Sequence, residues 1–156
     1  MIGINAQDVP ALITKKNEIG MHAGATTGIG LSYRHWFGKF GFQLTGLPIK
    51  TENFTFISGG ASLLYTFYDA QYVRVFGYLG GHYYQDRHDE DSYNIMTGDY
   101  DSHKYEDSFY NFGFGPGFAF GSVVRFNLMF GYGFYDITGS WDMYPTGEIG
   151  IYFRFN

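Results

Sequence analysis

From Glu18 onward, apolar and polar residues alternate with a period of two, in one stretch after another. Across residues 123–135, Val124, Phe126, Leu128, Phe130, Tyr132 and Phe134 fall on one side, and Arg125, Asn127, Met129, Gly131 and Gly133 on the other. Residues 146–155 set Ile149, Ile151, Phe153 and Phe155 against Glu148, Gly150, Tyr152 and Arg154. Residues 28–37 oppose Ile29, Leu31, Tyr33 and Phe37 to Ser32, Arg34 and Trp36. Residues 55–67 oppose Ile57, Ala61, Leu63, Tyr65 and Phe67 to Ser58, Gly60, Ser62 and Thr66. Residues 72–84 do the same with Val73, Val75, Leu79 and Tyr83 against Arg74, Phe76, Tyr78 and His82. Successive side chains of a strand point to opposite faces, so the pattern predicts strands. Eight are expected, at 18–24, 28–37, 40–49, 55–67, 72–84, 109–120, 123–135 and 146–155. No stretch carries a helical period.

Two all-β architectures use such strands. A soluble barrel turns its apolar face inward and its polar face to water, whereas a transmembrane barrel inverts the assignment. The less apolar face decides. Residues 109–121 read FYNFGFGPGFAFG, with Tyr110, Phe112, Phe114, Phe118 and Phe120 on one side. The other side holds Asn111, Gly113, Gly115, Gly117 and Ala119, which are small rather than solvating. Charged residues make up 16% of the chain and aromatics 22%, with 17 Phe, 15 Tyr and 23 Gly. A typical soluble domain carries roughly 25% charged residues, concentrated on its wet face. The few charges here fit a narrow closed interior, where Arg34, Arg74, Arg125 and Arg154 are expected to pair with Glu18 and Glu148. The expectation is a closed, antiparallel, eight-stranded transmembrane β-barrel with an up-and-down meander, occupying residues 18–156 as one domain.

Short connections at Gly38-Lys39, Asp69-Ala70-Gln71 and Gly121-Ser122 suit the periplasmic end of such a barrel. The connections at 25–27, 50–54, 85–108 and 136–145 then face outward, and both termini fall at the periplasmic end. Residues 1–17 form an N-terminal segment whose first six residues read as the remainder of a signal peptide, with cleavage after Ala6.

With the alternation established, the chain resembles the small eight-stranded outer-membrane barrels over residues 18–156. Its closing TGEIGIYFRFN, with Phe153 and Phe155 in alternate positions, looks like the terminal strand signal read by the barrel-insertion machinery. Asn156 follows the last aromatic, and the Ala6-Gln7 junction resembles exported proteins of the Bacteroidota, to whose outer-membrane barrel domains the chain is most similar. The resemblance implies an outer-membrane location and contact with lipid, lipopolysaccharide and the insertion machinery. It does not specify an activity, because one fold hosts many functions.

Candidate chemistry is sparse. Residues 85–108, QDRHDEDSYNIMTGDYDSHKYEDS, hold Asp86, Asp89, Glu90, Asp91, Asp99, Asp101, Glu106 and Asp107, with His88 and His103. The acids lack the spacing of a Ca²⁺ loop, so no metal is expected and the segment reads as a solvated acidic extracellular loop suited to a partner. A lipid-modifying enzyme of the lipid A deacylase or acyltransferase type is the alternative. It needs Ser and His within reach on the lipid side of the rim, yet Ser32 and His35 lie on opposite faces and no His-x-Ser pattern occurs. No catalytic residue or cofactor is assigned. An eight-stranded barrel leaves no water channel, and Trp36, Phe56, Phe76, Tyr78 and Tyr152 fill the interior further, so a porin is excluded. A net charge of −5 with scattered Lys and Arg excludes nucleic acid. Pro116 sits in the most aromatic strand, where it must open the ladder or mark a bulge. The wall of Phe112, Phe114, Pro116 and Phe118 is the candidate face for another membrane protein, which would make the chain a non-enzymatic accessory subunit with a structural or recognition role.

Overall fold

The structure is a computed structural model and describes residues 15–51, 54–93, 100–139 and 141–156. The expected cleavage after Ala6 and the acidic residue Asp99 lie outside the described residues. The strands are β1 (Asn17–Gly24), β2 (Gly28–Phe37), β3 (Phe40–Lys50), β4 (Phe54–Asp69), β5 (Val73–Tyr93), β6 (Tyr100–Phe120), β7 (Val124–Tyr135) and β8 (Asp142–Phe155). Each pairs antiparallel with the next, and β8 closes on β1, giving a closed eight-stranded meander. Closure leaves the barrel wall no free edge, which a lipid solvent requires.

Register follows the period-two pattern. Glu18 lies across from Arg34 on one side and from Arg154 on the other, so three interior charges share one level. The outward set is exposed, with Leu31 at 67%, Leu63 at 66% and Phe126 at 58%. The inward set is buried, with Arg34 at 0%, Arg125 at 1% and Trp36 at 1%. A two-residue turn joins β2 to β3, and Gly38 there has φ 64°, a conformation that favours glycine. A bulge at Thr66/Tyr68 absorbs one extra residue where β4 enters its turn.

One feature differs from expectation, and of the two outcomes expected at Pro116 the structure has the opened ladder. Residues 85–108, read as an irregular loop, largely continue β5 and β6, which stay paired as far as Tyr93 and Tyr100. Pairing to β4 ends at Phe54–His88, and pairing to β7 ends at Phe112–Phe134, so the two strands run past their neighbours as a ribbon. Its register sets Arg87 across from Glu106 and Asp89 across from Lys104. Pro116 makes no bulge. The β6–β7 ladder stops at Phe114–Tyr132 and resumes in the same register at Gly117–Met129. Proline supplies no N–H, and the gap is on the β7 side. Gly115 and Gly131 lie within it, and a Cβ on either would strike the facing strand's backbone.

Candidate functional site

The interior has two polar centres, one towards each end. Near the short turns, Glu18 of β1 gathers four arginines. Arg74 Nη1 lies 3.4 Å from Glu18 Oε1, Arg154 Nε 3.6 Å and Arg125 Nη1 3.9 Å, while Arg34 Nη1 lies 3.8 Å from Oε2. Asp69, at the end of β4, contributes a second carboxylate, 2.6 Å from Arg74 Nη2 and 3.7 Å from Arg125 Nη2. Aromatic faces complete the packing, with the Arg34 guanidinium 4.0 Å from the Tyr152 ring centroid and that of Arg74 4.1 Å from Trp36. Arg34 also donates from Nε to Gln43 Oε1 at 2.7 Å and from Nη1 to Asn127 Oδ1 at 2.6 Å.

Glu148, expected as the second counter-charge of these arginines, belongs to the other centre. It is inward by phase, but it lies higher on β8 than Arg154, and height along the strand chooses its partners. Its carboxylate accepts from the hydroxyls of Thr26 and Thr27 and from the Thr26 N–H at 3.3 Å. His22 Nε2 lies 2.6 Å from Thr27 Oγ1 and 3.3 Å from Glu148 Oε2. The carboxylate thus ties the β1–β2 connection down into the mouth of the barrel, where Thr26 and Thr27 are both 0% exposed. Interior glycines make the room. A Cβ on Gly113 or Gly133 would meet Thr26, on Gly60 the Thr27 backbone, and on Gly80 the Thr27 side chain.

A second clasp holds the same plug. His82 Nδ1–H donates to Ala25 O at 3.0 Å, and Asn111 Nδ2 donates to the same carbonyl at 3.0 Å. That fixes the His82 tautomer, so its Nε2 accepts the Ser58 hydroxyl at 2.8 Å. The Ser58 oxygen in turn accepts the Ile29 N–H at 2.9 Å. This Ser–His pair was not apparent from the sequence. Both residues are buried inside the barrel, and the orienting group behind the imidazole is a backbone carbonyl rather than a carboxylate. The pair acts as a pin for the plug. Ser32 instead meets Thr45 and Tyr152 inside, while His35 meets Asn17 on the outer side.

On the outer wall, Phe112 packs against Phe134, and Phe118 stacks on Phe120 and Phe130. Phe114 and Pro116 are exposed beside them. Phe118, Phe120, Leu128, Phe130 and Ile149 border a shallow apolar hollow over Gly147. In the ribbon, Asp86 lies across from Asp107, and the backbones of Asp89, Glu90, Asp91 and Asp101 continue the ladder.

No protein-family model matches the sequence, and no curated protein matches it. Among solved structures, the chain is similar to the N-terminal β-barrel domain of Pseudomonas aeruginosa OprF, with a TM-score of 0.51 at 10% identity over 90% of this chain and 96% of that one. Neisserial surface protein A matches with a TM-score of 0.45 at 15% identity, over 90% and 94% of the two chains. Ail, an outer membrane protein of Yersinia pestis, matches with a TM-score of 0.44 at 15% identity, over 90% and 97%. In fold, then, this chain is a closed eight-stranded antiparallel barrel similar to the OprF β-barrel domain.

Proposed function

We propose that the chain spans the outer membrane as a sealed, non-enzymatic barrel whose acidic β5–β6 ribbon recognises a partner outside the cell. The sorting of side chains carries this reading. Large apolar residues cover the outside on every strand, whereas arginines, glutamates and histidines are buried within. A water-soluble protein has no physical reason to sort this way, because it would expose its greasiest surface and bury its most strongly hydrated groups. The wall is also layered. Phe37, Phe40, Tyr65 and Phe67 stand at the turn end on β2 to β4, Tyr83, Tyr110, Tyr132 and Tyr144 towards the other end on β5 to β8, and Leu31, Leu44, Leu63 and Ile149 lie between. From Val73 to Tyr83 a strand rises about 33 Å, or about 25 Å when tilted by ~40°, which is the height of the apolar band of an outer-membrane barrel.

The short turns and termini belong at the periplasmic end, and the ribbon extends from the opposite, extracellular end. Lipid and lipopolysaccharide surround the wall, and the barrel-insertion machinery assembles it. Heat-modifiable migration in detergent, with precipitation when detergent is removed, is the expected behaviour; a monodisperse monomer in plain buffer would overturn the reading.

The gap at Pro116 and the neighbouring hollow favour one refinement, an accessory-subunit role in which Phe112, Phe114, Pro116 and Phe118 face another membrane protein. Purification in mild detergent followed by native mass spectrometry tests it, and a chain that always migrates alone removes it. The lipid-modifying alternative has less support, since the Ser58–His82 pair is enclosed in the barrel and committed to the plug. Lipid A composition with and without the protein distinguishes the two.

A further inference from the structure

The arginine centre carries more positive charge than its acids balance. Arg34, Arg74, Arg125 and Arg154 supply four charges and Glu18 and Asp69 offset two, so two remain among the described residues. Glu148 is engaged with His22, Thr26 and Thr27. Of the three arginines around Glu18 Oε1, Arg74 alone makes a hydrogen bond to it, at 3.4 Å. Arg74 Nε, Arg125 Nη1 and Arg154 Nε are buried without a hydrogen-bond acceptor. Water could satisfy such N–H groups, but it would leave the charge. A guanidinium does not neutralise itself by losing its proton, and an unbalanced charge in a low-dielectric interior is costly.

We propose that Arg74, Arg125 and Arg154 bind a phosphate dianion at the turn end of the barrel interior. Two negative charges match the excess, and tetrahedral oxygens suit donors converging from three strands. Arg34 is excluded because all three of its nitrogens have acceptors, Gln43, Asn127 and the Met129 sulfur. Arg125 also donates from Nε to Gly121 O at 3.1 Å, and Arg154 from Nη1 to Ser122 O at 3.1 Å and from Nη2 to Lys15 O at 3.4 Å, but each keeps one nitrogen without an acceptor, as Arg74 does. The route in is from the turn end, where the Arg154 and Asp69 side chains are 9% and 19% exposed, against 1% for Arg74 and Arg125. Free phosphate and the phosphomonoester of a lipid headgroup share this chemistry. The site does not depend on the ribbon's having a partner.

The test uses folded protein in a sugar-headgroup detergent at constant ionic strength, so that general screening is held fixed. Inorganic phosphate is titrated in one arm and phosphatidic acid in mixed micelles in the other, each followed by ³¹P NMR. Saturable binding is expected in at least one arm, and the arm identifies the source. Arg154→Gln should abolish it, and Glu18→Gln, which removes a competing carboxylate, should tighten it several-fold. No saturation in either arm overturns the proposal, as does binding to Arg154→Gln equal to that of the unsubstituted chain. Should Arg154→Gln fail to fold, Glu18→Gln decides: tighter binding supports the site, and equal or weaker binding overturns it.

Discussion

Gly113 shows how much one missing side chain matters here. It stands where Thr26 enters the barrel, and a Cβ there would collide with the Thr26 side chain. Gly113→Val should therefore lower barrel stability by about 1–3 kcal/mol through overpacking, seen as an earlier midpoint in urea titrations of the folded gel band. Glu148→Ala removes the acceptor of two threonine hydroxyls and a histidine N–H, and it should cost at least ~1–3 kcal/mol by the same readout. Leu63 asks the opposite question, because it points outward and is 66% exposed. In a lipid-facing wall Leu63→Arg should cost roughly 2–4 kcal/mol in bilayer folding equilibria. On a wet surface the same change would fall within about ±0.5 kcal/mol.

At the scale of elements, the strands were legible because period-two alternation survives wherever one face is greasy. The expected and observed ranges of β2 coincide, and those of β7 differ by a single residue at the start. The ribbon was not legible. Residues 85–108 are polar on both faces, so no alternation marks them, and what makes residues 85–93 and 100–108 strands is the ladder continuing from the barrel below. Replacing residues 89–104 by Asn-Gly should leave heat-modifiable migration intact, since pairing to β4 and β7 lies outside them; loss of the folded band would mean that the ribbon supports the barrel itself. Phase told which interior charges face inward, but not their height. Glu18 and Glu148 looked equivalent, yet one holds arginines and the other the plug. Asp69 was hidden in a turn. The plug did leave a trace in the sequence: Gly60, Gly80, Gly113 and Gly133 stand around one level of the interior, opposite the short Ala-Thr-Thr connection. For Pro116, restoring a donor with Pro116→Val should close the gap to β7 and add about 0.5–1.5 kcal/mol, with slow hydrogen exchange at the new amide.

For the whole molecule, sealing and sorting are one property. Trp36, Phe76, Tyr78, Tyr152 and the arginine centre occupy the interior, and Thr26 and Thr27 stop one mouth. The reconstituted chain should accordingly give no ion conductance in planar bilayers. The claim that everything else rests on is the inversion of the wall, apolar outside and polar inside. The chain has no cysteine, so single-cysteine spin labels can be placed along β7 one residue at a time. In lipid vesicles, labels at 124, 126, 128 and 130 should be reached by oxygen and shielded from a water-soluble relaxation agent, while 125, 127 and 129 should be shielded from both. If the even-numbered positions were reached by the water-soluble agent, β7 would face water and the chain would not be a membrane-spanning barrel.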